Sequence, residues 1–277
     1  MSLAWEPRVA LASLSGRSNA EWASQARAYA GAAFLGGIAI DEATRGAARE
    51  LVERDRNEFL PADPVAFIDR QLAALTGEPL RPGCNVRTAT LEPLQAVGAV
   101  CQRHGAVLEL NAHCRQKEVC AVGSGQSLLT DVERLREQVR AAAQTGATVS
   151  VKVRTEVDGV DLPRVAAAVE QAGASIVHVD AMDSERVVAD VVEATAAAVV
   201  ANNGVRDRET VHEYLSYGAD AVSVGRPSDD PAVLSRVREA TREWFASPAR
   251  ADLRDGSGAV GIVDSNDGRA GSGEESG

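Results

Sequence analysis

The sequence has few aromatic residues, almost no lysine and no long apolar run. Aromatic residues make up 4% of the 277 residues and hydrophobic residues 45%, so alanine and valine must fill most of a core. No run of about 18 apolar residues occurs. The amino terminus also lacks a basic stretch followed by an apolar one, as a secretory signal would have. We therefore expect a cytoplasmic globular protein that makes no membrane contact.

The four cysteines lack the spacing of a disulfide framework or a zinc site. They are Cys84, Cys101, Cys114 and Cys120. In a chain of this length without a secretory signal, reduced thiols are expected rather than disulfides. Cys114 and Cys120 lack the C-x-x-C spacing of metal ligands, so no metal site is expected.

The chain is acidic, and almost all of its basic residues are arginine. The formal net charge is −11, and Lys117 and Lys152 are the only lysines. Such a composition is typical of a salt-rich cytoplasm, as in halophilic archaea, because solvated carboxylates and strong screening tolerate it. Acidity argues against a large nucleic-acid-binding face, which usually is basic. Lysine provides a compact charge that arginine does not reproduce, so both lysines are candidates for a specific role.

Apolar, β-branched runs alternate eight times with helical patterns. The runs are 8–13, 33–40, 83–87, 106–110, 147–154, 174–179, 197–201 and 219–224. This alternation requires parallel strands joined by right-handed crossovers. Eight units within about 245 residues match the α/β class and a (β/α)8 TIM barrel, for which about 250 residues is typical. A doubly wound open sheet is the alternative.

We expect residues 1–245 to form the barrel and residues 246–277 to form a disordered tail. The tail is rich in Gly, Ser, Asp and Glu and has few apolar residues. Such a segment cannot bury enough surface to offset the entropy lost on ordering.

The loop after the fourth strand carries the strongest chemical signal. It contains Asn111, His113, Cys114 and Lys117, ahead of a glycine-rich turn at residues 123–125. Active sites of α/β barrels lie just past the carboxyl ends of strands. A thiol in a polar loop near cations can act as a proton donor or nucleophile, so Cys114 is the candidate catalytic residue.

Three further features at strand ends suit an anionic ligand. The last two strands end in Asn203-Gly204 and Gly225-Arg226, where backbone N–H groups and an arginine fork can bind a phosphate; ordinary turns are the alternative. Lys152 lies in an apolar strand and suits an electron-rich ring oxygen if it points inward, or caps the strand end if it points outward. His178 either hydrogen-bonds a ligand or is a core histidine.

Five segments keep the order and spacing of a known family pattern. They are LNAHCR at 110–115 followed by Lys117, VKVR at 151–154, VHV at 177–179, NG at 203–204 and GR at 225–226. They resemble the flavin-dependent tRNA-dihydrouridine synthases and their FMN-barrel relatives, which include dihydroorotate dehydrogenase. The likeness is greatest to a shorter archaeal-type branch. In two places the chain departs from the family: Gly-Cys-Pro is replaced by His113-Cys114-Arg115, and an Arg-Thr pair by Asp180-Ala181.

The resemblance implies an oxidoreductase that binds FMN, takes electrons from NAD(P)H and reduces the C5–C6 bond of uracil, first of all uridine in tRNA. It implies that Cys114 is the catalytic acid. The residues it implies for FMN are Ala12, Ser13, Asn85, Asn111, Lys152, His178, Asn203, Gly204, Gly225 and Arg226. The alternatives are an oxidoreductase acting on a free pyrimidine, like dihydroorotate or dihydropyrimidine dehydrogenase, and a non-catalytic phosphate-binding barrel. The acidic charge and the lack of a helical tRNA-gripping domain after the barrel favour a free pyrimidine.

Overall fold

In the computed structural model, which describes residues 3–247, eight parallel strands close into a barrel. The strands are β1 (Val9–Leu11), β2 (Ala32–Ala39), β3 (Arg81–Arg87), β4 (Val107–Asn111), β5 (Thr148–Arg154), β6 (Ile176–Asp180), β7 (Ala198–Asn202) and β8 (Ala221–Val224). Each strand pairs with the next one in sequence, and Leu11 of β1 pairs with Val224 of β8 to close the ring. The predicted (β/α)8 barrel is confirmed.

Helices connect the strands. They are α1 (Ala20–Gln25), α2 (Glu42–Val52), α3 (Pro64–Ala73), α4 (Glu92–Arg103), α5 (Lys117–Ala121), α6 (Val132–Ala143), α7 (Leu162–Gln171), α8 (Val187–Ala194), α9 (Arg208–Ser216) and α10 (Pro231–Ala246). Two 3-10 helices, Gly125–Leu129 and Arg226–Asp229, follow β4 and β8. Asp or Asn side chains cap α1, α2, α3, α6, α7 and α9 by accepting a backbone N–H bond, which fixes where these helices begin.

The local patterns were wrong at two places. The sequence has a helical pattern from residue 20 to Tyr29, whereas α1 ends at Gln25, and Tyr29 N–H donates instead to Ala26 O in a turn. The polar loop predicted after β4 contains α5 and the first 3-10 helix. Both helical segments have five residues, too few to show a periodic pattern in sequence.

The barrel interior is apolar at its amino-terminal end and polar above. Phe34, Val107 and Ile176 pack there with Leu3 and Trp5 of the amino-terminal segment. Gly83 on β3 has no room for a side chain, because a Cβ there would lie 2.6 Å from Cδ1 of Phe34. Towards the carboxyl ends of the strands, the buried residues become polar and charged, which places the chemistry at that end of the barrel.

Three further expectations concern the cysteines, membrane-spanning helices and the domain boundary. The four cysteines are free thiols. Within residues 3–247, no helix is both long and apolar enough to cross a membrane. The chain divides into residues 1–244 and 245–277. Residues 248–277 of the predicted tail lie outside the described residues, and the boundary at residue 245 stays a prediction.

Candidate functional site

A cavity of about 630 Å³ opens at the carboxyl ends of the strands. Its volume lies within the range of roughly 300–1,000 Å³ that is usual for small-molecule and cofactor sites. Seven residues predicted to bind a cofactor line it: Ala12, Ser13, Lys152, Asn203, Gly204, Gly225 and Arg226. The sequence patterns at the ends of β1, β5, β7 and β8 therefore converge on one cavity.

Lys152 projects from β5 into this cavity. It is 3% exposed, and no hydrogen bond to its Nζ is found within residues 3–247. Burial lowers the pKa of the Lys152 ammonium, whereas the charges of Glu109 and Asp180 act in the opposite direction. Because a buried cation without hydrogen-bond partners is unfavourable, this position suits an anionic or strongly polar ligand.

His113, Asp180 and Asn203 form a hydrogen-bonded group on the cavity wall. His113 Nε2 lies 2.6 Å from Asp180 Oδ2, and Asn203 Nδ2 donates to Asp180 Oδ1 at 2.9 Å. Burial opposes ionisation of Asp180, but these bonds and the charge of Lys152 outweigh it and hold the pKa of Asp180 well below its usual value. Asp180 is therefore an anion that fixes one nitrogen of the His113 ring.

Two turns bring backbone groups to the cavity. At the end of β7, Asn203 has φ of 96° and Gly204 has φ of 67°, a left-handed conformation that Asn and Gly tolerate best. Tyr214 Oη donates to Asn203 O at 2.9 Å and holds this turn. A Cβ added to Gly204 or Gly225 would meet no atom within 4 Å, so both backbones are open to a ligand.

The charge of the cavity differs from that of the chain. Lys152, Arg206 and Arg226 line it, and Asp180 is the single carboxylate lining it among residues 3–247, whereas the whole chain carries −11. Arginine forks and glycine backbone N–H groups bind phosphate oxygens well. The cavity can therefore hold an anionic ligand with a phosphate group.

Asn85, Asn111 and His178, also predicted to bind the cofactor, lie below the cavity. Asn111 Nδ2 donates to Asn85 Oδ1 at 2.8 Å, and Asn85 Nδ2 donates to Glu109 Oε1 at 2.8 Å. Asn85 is fully buried and Asn111 is 7% exposed. None of the three lines the cavity, so each forms part of its support.

Glu109 and His178 are the centre of this support. His178 Nδ1 donates to Glu109 Oε2 at 2.8 Å, and Ser150 Oγ donates to the same oxygen at 3.0 Å. Burial lowers the pKa of His178, so the ring is neutral and its Nε2 accepts from Ser223 Oγ at 2.7 Å. Both ring nitrogens are thus used inside the protein, as in a core histidine.

Cys114 does not line the cavity. Its side chain packs against an apolar cluster of Ala47, Leu51 and Val119 between α2 and α5. Its backbone is held firmly, since its N–H donates to Asn111 Oδ1 at 2.9 Å and its carbonyl accepts from Gln126 N–H at 2.9 Å. Gly125 is required beside it, because a Cβ there would lie 2.3 Å from Cys114 O.

Sequence reasoning missed Asp180, Glu109 and Arg206 as site residues. Glu109 interrupts an apolar strand, AVLEL, and a carboxylate in such a place signals a buried partner. Asp180 directly follows VHV at a strand end, where ligand-binding residues are common. Arg206 follows the Asn203-Gly204 turn, and no separate signal marks it.

The comparisons with known proteins agree with this architecture. FabK from Thermotoga maritima has a TM-score of 0.53 at 16% identity, covering 80% of this chain and 58% of that one. A mutant form of the same protein gives 0.54 at 15% identity, covering 80% and 61%. The chain thus spans about three fifths of the solved FabK chains, and these likenesses show the fold.

Sequence comparison identifies the family. An uncharacterized protein of Methanocaldococcus jannaschii is 24% identical over 239 residues, covering 80% of this chain and 89% of that one. The family model described as dihydrouridine synthase (Dus) matches residues 89–254, more than half of the chain, and confirms the resemblance of the sequence motifs. The chain belongs to the dihydrouridine synthase family, whose members are flavin-dependent oxidoreductases.

Proposed function

We propose that this protein binds FMN and reduces the C5–C6 double bond of uracil, with uridine in tRNA as its substrate. The observation that carries the proposal is the convergence of Lys152 and the two glycine turns on one cavity within a dihydrouridine synthase barrel.

The residues of the cavity fit FMN. Its volume of about 630 Å³ suits a cofactor of this size. Gly204, Gly225 and Arg226 offer open backbone and a guanidinium to the phosphate. Lys152 offers a buried cation, without a hydrogen bond among residues 3–247, to an electron-rich ring edge.

In the proposed mechanism, FMN held here would supply hydride chemistry, with NAD(P)H as the electron donor. When hydride reaches uracil C6, negative charge develops at C5, so a proton donor is needed there. Cys114 is the predicted donor. Because its side chain packs against Leu51 and Val119 while its backbone is held, donation to a cavity substrate requires the thiol to rotate out of this cluster. Lys152 stabilises negative charge on the cavity ligand.

A tRNA substrate requires the target base to leave its stack and enter the barrel mouth. The exposed cation Arg206 lies at this mouth and can meet a phosphate that flanks the base. The net charge of −11 favours a second candidate, a free pyrimidine as substrate, because it weakens long-range attraction to RNA.

The test begins with the absorbance of the purified full chain, in which a bound flavin gives bands in the visible region. Mass spectrometry of tRNA from a deletion strain then shows whether dihydrouridine is lost and whether the gene restores it. Reduction of free uracil by the same protein is measured in parallel. Unchanged dihydrouridine together with reduction of uracil would select the second candidate, and a colourless protein that cannot be loaded with FMN would refute both.

A further inference from the structure

The two places where the chain departs from the family pattern contact each other. His113 stands at the glycine of Gly-Cys-Pro and Asp180 at the arginine of Arg-Thr, 67 residues apart in sequence. In the structure His113 Nε2 lies 2.6 Å from Asp180 Oδ2, on the wall of the cavity. Replacing a glycine and an arginine by a hydrogen-bonded pair changes which chemical groups the wall offers to a ligand.

The pair fixes the tautomer of the histidine. An ionised carboxylate only accepts hydrogen bonds, so His113 Nε2 must carry a proton and donate it to Asp180. Burial lowers the pKa of His113, the charges of Lys152 and Arg154 lower it further, and the bond to Asp180 opposes the shift without cancelling it. The ring is therefore neutral at physiological pH, and its Nδ1 carries a lone pair.

That Nδ1 is available to a ligand. The His113 side chain lines the cavity and is 30% exposed. No hydrogen bond to its Nδ1 is found within residues 3–247. The wall next to Lys152 thus combines a cation with a hydrogen-bond acceptor of fixed orientation.

We propose that His113 Nδ1 accepts a hydrogen bond from the ring imide N–H of the bound ligand, with Asp180 as its positioning residue. This specificity role rests on the proposed function, in which uracil is the substrate. Uracil carries an imide N–H at N3, whereas cytosine has a lone pair there, so a fixed acceptor selects uracil. The isoalloxazine ring carries an imide N–H as well, and the experiment separates the two sources.

The first test reads the tautomer directly. Long-range nitrogen–proton NMR of the full chain at pH 8 distinguishes protonated from unprotonated ring nitrogens for each of its four histidines. The His113 signals are assigned by their loss in His113→Phe. We expect an unprotonated Nδ1 and a protonated Nε2. In Asp180→Asn the amide can donate to Nε2, and the proton moves to Nδ1. A protonated Nδ1 in the wild type overturns the proposal.

The second test measures discrimination. FMN-loaded full chain is titrated with uridine and with 3-methyluridine, and the unloaded chain with FMN and with 3-methyl-FMN. For one of these two ligands, we expect the methylated form to bind with a dissociation constant roughly 10-fold higher than that of the parent. This is the usual effect of losing one hydrogen bond and leaving its acceptor unpaired. The pair that differs identifies the source of the imide. In Asp180→Asn and His113→Phe the difference falls to within about 2-fold.

The pair of His104 and Asp69 is a matched control, since His104 Nε2 lies 2.7 Å from Asp69 Oδ1 and neither residue lines the cavity. Asp69→Asn leaves the discrimination unchanged. If the wild type binds FMN yet neither methylated ligand binds more weakly than its parent, this inference fails and the proposed function stands. If the chain binds neither FMN nor uridine, the proposed function fails and this inference with it.

Discussion

Glu109 Oε2 and His178 Nδ1 lie 2.8 Å apart inside the barrel, and both side chains are fully buried. Burial opposes ionisation of Glu109, but the hydrogen bond from His178, the charge of Lys152 and the hydrogen bond from Asn85 outweigh it and lower the pKa of Glu109. An ionised carboxylate therefore organises the donors beneath the cavity. Its removal leaves several buried polar groups without their partner.

We expect Glu109→Ala to lower the free energy of unfolding by about 3–5 kcal/mol, as is usual when one partner of a buried pair is removed. Urea denaturation followed by circular dichroism measures it. Glu50→Ala, at an exposed position on α2, is the control and changes stability by less than about 0.5 kcal/mol. A loss below about 1 kcal/mol in Glu109→Ala would show that the network is not needed for the fold.

Lys152→Met is expected to weaken FMN binding by roughly 10- to 100-fold, because hydrogen bonds to a charged group contribute about 1.5–3 kcal/mol. Fluorescence quenching of added FMN measures the dissociation constant. The chain provides a matched control in its other lysine, since Lys117 is exposed at the start of α5 and does not line the cavity. Equal losses in Lys152→Met and Lys117→Met would contradict a specific role for Lys152.

Arg226→Gln tests the phosphate end of the cavity. If Arg226 binds the phosphate, the variant loses affinity for FMN by roughly 10-fold or more and keeps its affinity for riboflavin, which has no phosphate. The ratio of the dissociation constant for riboflavin to that for FMN is therefore smaller in the variant than in the wild type. Arg49→Gln, at an exposed position on α2, serves as the control. A parallel loss for FMN and riboflavin would mean that Arg226 acts on the ring or on the fold.

The barrel could be predicted because its signal is local. Most strands are rich in apolar, β-branched residues, and six helices begin at an Asp or Asn cap, so the alternation is visible without any tertiary information. Lys152, Gly204 and Gly225 were placed at one site for the same reason, since carboxyl ends of parallel strands meet at one end of a barrel.

The contacts that set the electrostatics of the site were not predictable. The bond between His113 and Asp180 joins residues from the end of β4 and from β6, and that between Glu109 and His178 does the same one layer below. No periodic pattern encodes which polar side chains meet across an interior. The direction of the Cys114 side chain was equally hidden, because a loop residue has no alternation to indicate its direction.

Cys114→Ala is expected to retain FMN and to lower the rate of dihydrouridine formation by roughly 100- to 10,000-fold, the range for loss of a general acid. In the proposed mechanism flavin reduction by NAD(P)H precedes protonation of the substrate, so its rate is expected to stay unchanged. Stopped-flow absorbance separates the two half-reactions. Cys120→Ala tests whether an effect is merely structural, because Cys120 Sγ contacts the Cys114 carbonyl from the same segment. Full turnover in Cys114→Ala would exclude this thiol as the acid.

Asp41 joins α2 to the loop after β3, and its replacement should alter the acid stability of the barrel. Its Oδ1 accepts from Thr44 N–H at 2.7 Å, and its Oδ2 accepts from Thr88 Oγ1 at 2.7 Å and from Thr90 N–H at 3.0 Å. Burial opposes ionisation, but these bonds outweigh it and lower the pKa of Asp41 below its unfolded value.

A carboxylate whose pKa is lowered by folding stabilises the protein above its unfolded pKa of about 4, and this contribution disappears as the pH falls through the folded pKa. In Asp41→Asn the amide N–H2 faces the backbone donors, so we expect a loss of about 1.5–3 kcal/mol at pH 7. The loss shrinks between about pH 5 and pH 2, as urea denaturation across this range measures. Asp63→Asn is the control. Asp63 caps α3 but makes no such additional contacts within residues 3–247, and Asn is an equally good cap, so the stability of this variant stays near that of the wild type at pH 7. A constant difference between Asp41→Asn and the wild type at every pH would refute the role assigned to the Asp41 charge.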